Sequence, residues 1–266
     1  MNNNIIPFIV ENSLNSSYID SLFVSLFFKP SYIQDILSEY PENISFIYLQ
    51  ELIYENFVCN MRRNYFIDSA TINEIRNYMT LCGWKNSSDT INTYDVQDLY
   101  SFLINGFHKS KLNFTIHSDQ ETVTKMNYIE LKIRKNSDIK TMLDDYFDEK
   151  IKQYHFEEVP NFIPIYLNRN FETTNVNKLN NFSIDIKQGI YISKNNTNPE
   201  QKTLLWTIHS IVCYSSGHYY SIVSNETGWY LFSHFKLPSL LKIDIKNEDM
   251  AAKIKQECVF VVYTKH

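Results

Sequence analysis

The apolar residues of this chain change their period once, and that change limits the folds open to it. Leu22, Phe23, Leu26 and Phe27 fall on helical spacing directly after the start signal Ser16-Ser17. Further helices are predicted over Ser31–Glu39, Ile44–Asn56, Ser69–Leu81 and Val96–Ile104. From Asn113 the pattern alternates instead. Asn127–Ile133 reads as a half-buried strand and is followed by a helix over Ile139–Asp148. Strands are then predicted at Phe162–Leu167, Phe182–Ile186, Leu204–Tyr214, Tyr219–Val223, Gly228–Ser233 and Val259–Tyr263. Asn195–Pro199 forms a polar loop between two of them. Helices first and mostly antiparallel strands later describe an α+β protein and not a doubly wound sheet. The 266 residues, 44% of them hydrophobic and 15% aromatic, can bury a large core, and five glycines and seven prolines leave no flexible linker. A single domain over residues 1–266 is expected, helical to about residue 112 and strand-rich from about 113.

Charge and cysteine usage remove several function classes. A net charge of −5 lacks the basic stripe of a nucleic-acid binder. The densest basic cluster, Lys132, Arg134 and Lys135, reads as the end of a strand. Cys59, Cys82, Cys213 and Cys258 include no C-x-x-C pair, so neither a zinc ribbon nor a disulfide framework is expected. No metal or other cofactor is expected. MNNNIIPFIV has no basic n-region, and the apolar run from Leu22 to Phe28, broken by Ser25, is far too short to span a membrane. A reduced intracellular setting, cytoplasmic or nuclear, follows as the expectation. Asn-x-Ser/Thr triplets such as Asn15-Ser16-Ser17 then need no glycosylation.

Two blocks carry chemistry. In the first, Asn12–Phe27, a reactive group at position 17 would sit in the first turn of a helix, where free backbone N–H groups and the helix dipole favour negative charge. That setting activates a cysteine thiol, yet the residue is Ser17. Asn12 could place a side-chain amide beside a developing oxyanion. Ser16 or Ser17 can equally be read as a simple N-cap and Asn12 as a loop residue. In the second block, SSGHYYSIVSNETGWYLF, His218 stands at the start of a strand, where it could act as a base. Gly217, lacking a Cβ, would let a backbone pass close by. A residue just beyond Gly228–Phe232 could orient the imidazole, as triad logic requires. His117, His155 and His209 are read as structural.

The combination is similar to the ubiquitin-specific proteases. Asn12 to Leu22 resembles the N-x-G-N-T-C-Y-x-N-S-L box of that family, and Ser215-Ser216-Gly217-His218-Tyr219 with Gly228-Trp229-Tyr230-Leu231-Phe232 resembles its histidine box. Ile139–Phe147 resembles the S-x-x-x-L-x-x-Y/F helix, Pro160–Arg169 the P-x-x-L-x-x-x-L-x-R strand, and Val259–Tyr263 the closing A-Y-x-L-x-Y strand. The resemblance implies a papain-like cysteine peptidase fold with a helical thumb, an antiparallel palm sheet and short fingers free of zinc. It implies ubiquitin or a ubiquitin-like modifier as partner, with other proteins possible and neither nucleic acid nor membrane. The partner's C-terminal tail would run past Tyr18, Gly217 and Tyr219.

The departures bear on activity. Ser17 occupies the cysteine position, and Ser233 that of the Asp or Asn expected after W-x-x-F. His234 stands where a second Asp often sits, Leu14 replaces the glycine of the first box, and Val24 replaces a glutamine late in it. The fingers' C-x-x-C pairs are missing, leaving Tyr154–Glu158 in their place. A serine hydroxyl is a far weaker acid than a thiol and needs a well-oriented base. Ser233 offers no carboxylate to fix the tautomer of His218. Loss of a nucleophile costs on the order of a million-fold in a serine protease. Three readings follow. The chain binds ubiquitin or a ubiquitin-like modifier without hydrolysing it; or it is an active isopeptide-cleaving thiol protease in which cysteine was changed to Ser17; or it is an interaction scaffold that does not bind ubiquitin.

Overall fold

The computed structural model describes residues 7–38, 40–41, 43–85, 94–107, 112–117, 121–133, 138–149, 154–156, 160–169, 190–192 and 204–265. The chain divides into two compact units, residues 1–110 with 210–245 and residues 111–209 with 246–266.

The first unit begins with β1 (Ile9–Val10), α1 (Ser17–Phe27), a 3₁₀ helix (Tyr32–Leu37), α2 (Ile44–Leu52), a π-helical stretch (Ile53–Cys59), α3 (Asn60–Arg63), β2 (Phe66–Ile67), α4 (Ser69–Leu81) and α5 (Val96–Phe107). The second unit then carries β3 (Leu112–His117), β4 (Glu121–Met126), β5 (Ile129–Lys132), α6 (Ile139–Glu149), β6 (Tyr154–Phe156), β7 (Phe162–Asn168) and β8 (Ile190–Ile192). The chain returns to the first unit within β9 (Leu204–Ser215) and continues through β10 (His218–Asn225), β11 (Gly228–Phe232) and β12 (Leu240–Ile243). It closes in the second unit with α7 (Glu248–Glu257) and β13 (Cys258–Lys265).

Helix α1 is the centre of the first unit. All of its residues from Ser17 to Phe27 are buried, including Ser17, Asp20, Ser21 and Ser25, which share one face. It lies against β10, the middle strand of an antiparallel meander in which Ile222 faces both Ile211 of β9 and Leu231 of β11, with β12 following. Its C-terminal carbonyl, Phe27 O, accepts bonds from Nε and Nη2 of Arg62 at 3.0 and 2.6 Å, and Arg62 Nη1 donates to Gln34 at 3.1 Å. Burial lowers the Arg62 pKa. In the second unit β7 pairs antiparallel with β13 and parallel with β5, while β3, flanked by β4 and β6, forms a separate antiparallel sheet.

The architecture is the expected α+β, and α4 has the predicted ends. Its N-cap, Asp68, accepts a bond from the Thr71 N–H at 2.7 Å. The segment predicted as a helix over Ser31–Glu39 forms a short 3₁₀ helix, stopped ahead of Pro41, whose predecessor is kept out of the helical region. The helix predicted over Ile44–Asn56 runs on to Arg63, because no Gly or Pro interrupts residues 44–63. The strand predicted at Phe182–Ile186, the loop at Asn195–Pro199, and Arg134, Lys135, Glu157 and Glu158 lie outside the described residues.

Two outcomes follow from local packing. A Cβ on Gly106 of α5 would stand 1.9, 2.2 and 2.4 Å from ring atoms of Phe46, a ring itself held by Phe102 and Phe107. Gly106→Ala is therefore expected to lower stability by about 1–3 kcal/mol in urea unfolding, despite the better helix propensity of alanine, and Phe46→Leu should recover part of the loss. At α4, the bonds from Thr71 depress the Asp68 pKa. Its stabilising effect is therefore present above the unfolded carboxyl pKa and disappears as the pH falls through the lower folded value. Asp68→Ala should cost about 1 kcal/mol near neutral pH and almost nothing in strong acid, read from paired unfolding curves.

Candidate active site

The site lies within the first unit and is assembled from the N-terminal end of α1, the start of β10 and the residues after β11. A turn from Ser13 to Ser16 delivers α1, closed by the Ser16 N–H donating to Ser13 O at 3.1 Å. Asn15 holds a φ of 53°, a left-handed value that asparagine tolerates better than most residues. Helix α4 fixes this turn. Ser13 Oγ donates to Asn73 Oδ1 at 2.7 Å, and Arg76 donates to Leu14 O at 2.9 Å and to Asn73 at 3.3 Å. Arg76 is buried, so that carbonyl is held in a fixed direction.

Ser17 is 4% exposed, and its Oγ accepts a hydrogen bond from the backbone N–H of Tyr219 at 3.2 Å. The residue read as nucleophile thus touches the strand residue that follows the candidate base. His218 Nε2 lies 3.2 Å from Ser233 Oγ, directly past β11. Ser233 is held in turn, its N–H donating to Ser239 O at 2.8 Å, while Ser239 bonds Phe8 O and Val10 N beside β1. Phe235 lies over His218 with ring centroids 4.2 Å apart.

Ser17 is therefore bonded to the residue that follows His218, and His218 reaches Ser233. The other expected residues stand differently. Asn12 is exposed in the segment after β1. Gly217 occupies the β9–β10 hairpin turn with Ser216, at φ values of 82° and 52°. Two positive values are what a two-residue turn of this hand requires. A Cβ at Gly217 would meet nothing within 4 Å, so backbone conformation accounts for the glycine. Tyr18 is buried edge-on against Tyr94, and burial raises its pKa. Tyr219 is buried as well, its ring tilted against Tyr214 with centroids 4.7 Å apart, and its hydroxyl donates to Asp95 at 2.9 Å. His209 is buried in β9, while the side chains of His117 and His155 lie outside the described residues.

Asp20 stands in the first turn of α1, fully buried, and its Oδ2 receives Ser16 Oγ at 2.6 Å and His234 Nδ1 at 2.8 Å. The ring of His234 meets that of His218 edge to face, with centroids 5.0 Å apart. A carboxyl group from the helix is thus bonded to His234, whose ring contacts that of His218. The signal is in the sequence: the first box has Asn where this chain has Asp20, and the second often has Asp where this chain has His234.

Among the described residues no group of three or more His, Cys, Asp or Glu is arranged to hold a metal ion, and no helix is long and apolar enough to cross a membrane. The family model for ubiquitin carboxyl-terminal hydrolases matches residues 10–254. The chain belongs to that family. No curated protein matches it. Among solved structures it is similar to the SAGA Ubp8/Sgf11/Sus1/Sgf73 DUB module bound to ubiquitin aldehyde, at 14% identity and a TM-score of 0.65 over 97% of this chain and 69% of that one. A structure titled for the Ubp8-Sgf11-Sgf73-Sus1 SAGA DUB module matches at 16% identity and a TM-score of 0.65, over 97% and 67%. A monoubiquitin-bound form matches at 15% identity and the same TM-score, over 97% and 69%. At these identities the likeness shows the fold, the papain-like fold of ubiquitin-specific proteases.

The anchored turn gives a test of its own. Arg76→Met keeps the length of the side chain but removes both bonds and leaves Leu14 O without its charged donor. It should lower stability by about 2 kcal/mol, seen as a shifted urea midpoint at unchanged slope.

Proposed function

We propose that this chain is a ubiquitin-specific-protease homologue that binds ubiquitin or a ubiquitin-like modifier and is catalytically silent as written. The observation that carries the reading is that Ser17 Oγ bonds the residue after His218 while His218 reaches Ser233. Two of the three positions that the family resemblance assigns to catalysis hold hydroxyls. Ser17 Oγ is bonded to the Tyr219 N–H at 3.2 Å and is a poor acid, so its activation would rest entirely on His218. Ser233 reaches His218 at 3.2 Å but brings no negative charge to stabilise an imidazolium. A C-terminal tail would be held by its backbone along β10 near Gly217 and Tyr219, with Asn12 beside it. The ubiquitin in the related Ubp8 structures supports the choice of partner.

The test is hydrolysis of a ubiquitin–fluorophore amide by this chain and by Ser17→Cys, together with ubiquitin binding by calorimetry. The Ser17 form should bind and show no turnover above buffer. Ser17→Cys should raise kcat/KM by on the order of a thousandfold or more, since a thiol beside His218 ionises readily. Rapid turnover by the Ser17 form would overturn the silent reading. Absence of ubiquitin binding at high concentration would overturn the choice of partner and favour a scaffold.

A further inference from the structure

We infer that the outer face of α2 and α4 is a docking surface for an amphipathic helix of another protein, one that carries Lys or Arg beyond its apolar anchors. The two helices run antiparallel where they meet. Tyr48 stacks on Tyr78 with ring centroids 5.7 Å apart and planes 11° from parallel, and Cys82 Sγ donates to Ser45 O at 3.5 Å. At about 100° per residue, Ile44, Tyr48 and Glu51 share one face of α2, as Glu74, Tyr78 and Leu81 share one face of α4. Both stripes are ordered alike: Ile44 and Leu81 at one end, the tyrosine pair in the middle, Glu51 and Glu74 at the other. Ile44 and Leu81 are each 75% exposed, and Tyr48 is 59% exposed. Single apolar side chains are ordinary on a surface, whereas four that adjoin across two helices mark an interaction face. Asn73 and Arg76, which hold the turn ahead of α1, lie on a different face of α4. A partner seated here leaves Ser17 and His218 untouched.

Charge selects the occupant. Residues 43–61 contain no Lys or Arg, and the one cation of α4, Arg76, is buried and committed to Leu14 O. Glu51 and Glu74 are exposed, and among the described residues no ion pair or hydrogen bond engages their carboxylates. A second copy of this face would bring the same acids and no cation to meet them. An anionic lipid surface or a nucleic acid would be repelled. A basic amphipathic helix matches both the apolar and the acidic part, and helices that dock on such faces use anchors at i and i+4. Ile44 and Tyr48 are four residues apart, a rise of about 6 Å, and Glu51 follows about 4.5 Å further on. The partner therefore presents two apolar side chains one turn apart and a cation one turn beyond them. The phenol hydroxyls of Tyr48 and Tyr78, which have no hydrogen-bond partner among the described residues, are free to bond polar groups at its edge.

The test measures fluorescence anisotropy of a labelled, alanine-rich helical peptide of about twenty residues against the full chain. The peptide carries Leu at i, Phe at i+4 and Lys at i+7 and i+8; a control carries Glu in place of both lysines. The Lys peptide should bind at least about tenfold more tightly than the Glu peptide at low salt. Ile44→Ser/Leu81→Ser changes only well-exposed side chains, leaves the core intact, and should weaken the Lys peptide by about tenfold. Glu51→Gln/Glu74→Gln should weaken it by about fivefold and flatten its salt dependence. No binding of the Lys peptide, equal binding of the two peptides, or unchanged affinity in either variant would overturn the inference. A dimer of the chain that dissociates in Ile44→Ser/Leu81→Ser, seen by sedimentation, would assign the face to a second copy and overturn it too. Neither variant touches Ser17 or His218, so these outcomes are independent of ubiquitin binding and of turnover by Ser17→Cys.

Discussion

The burial of α1 on every side governs the site. A helix enclosed by protein has no water for its polar side chains, and four of the residues from Ser16 to Ser25 nevertheless end in oxygen atoms that find partners. Ser25 turns back to Leu22 O at 2.8 Å, Ser17 takes the Tyr219 N–H, and Ser16 and Asp20 bond each other. Each of these bonds satisfies a polar group of the enclosed helix, and the one at Ser17 also fixes a group in the site. Packing and chemistry are here the same set of contacts, so the site is as rigid as the core around it.

Ser233 belongs to the same site. Taken alone, a hydroxyl where a carboxylate is expected removes the charge that would steady His218. Asp20 of the buried helix is bonded instead to His234, whose ring meets that of His218. That bond does nothing for the nucleophile, which remains an alcohol in the first turn of its helix.

Much of the fold was legible in the sequence, for physical reasons that differ between elements. Helix α4 shows both a capping aspartate and strong amphipathic spacing, and its ends were readable. Strands β9, β10 and β11 carry the continuous apolar character of buried strands joined by short turns. The two-residue strands β1 and β2 are too short for any periodicity, and α7 buries only Ile254 among its described core positions, so neither left a pattern to find. Ser17, His218 and Ser233 were placed by motif order, which carries information over two hundred residues of chain that periodicity cannot. Asp20 and Arg76 were not found, because a buried charge is recognisable only through its partner. The partners, His234 and Leu14 O, are remote in sequence and in one case belong to the backbone.

The π-helical stretch Ile53–Cys59 has a consequence for this construction. A wide turn amounts to one residue more than an α-helix of the same length would need. The extra residue sets the azimuth of everything after it, including the Arg62 guanidinium that closes the far end of α1. Deleting a residue there would leave a continuous, regular helix and swing Arg62 by about 100°, away from the carbonyl it serves. The irregular winding is a phase adjustment, and through Arg62 it helps keep the enclosed helix shut at the end opposite Ser17.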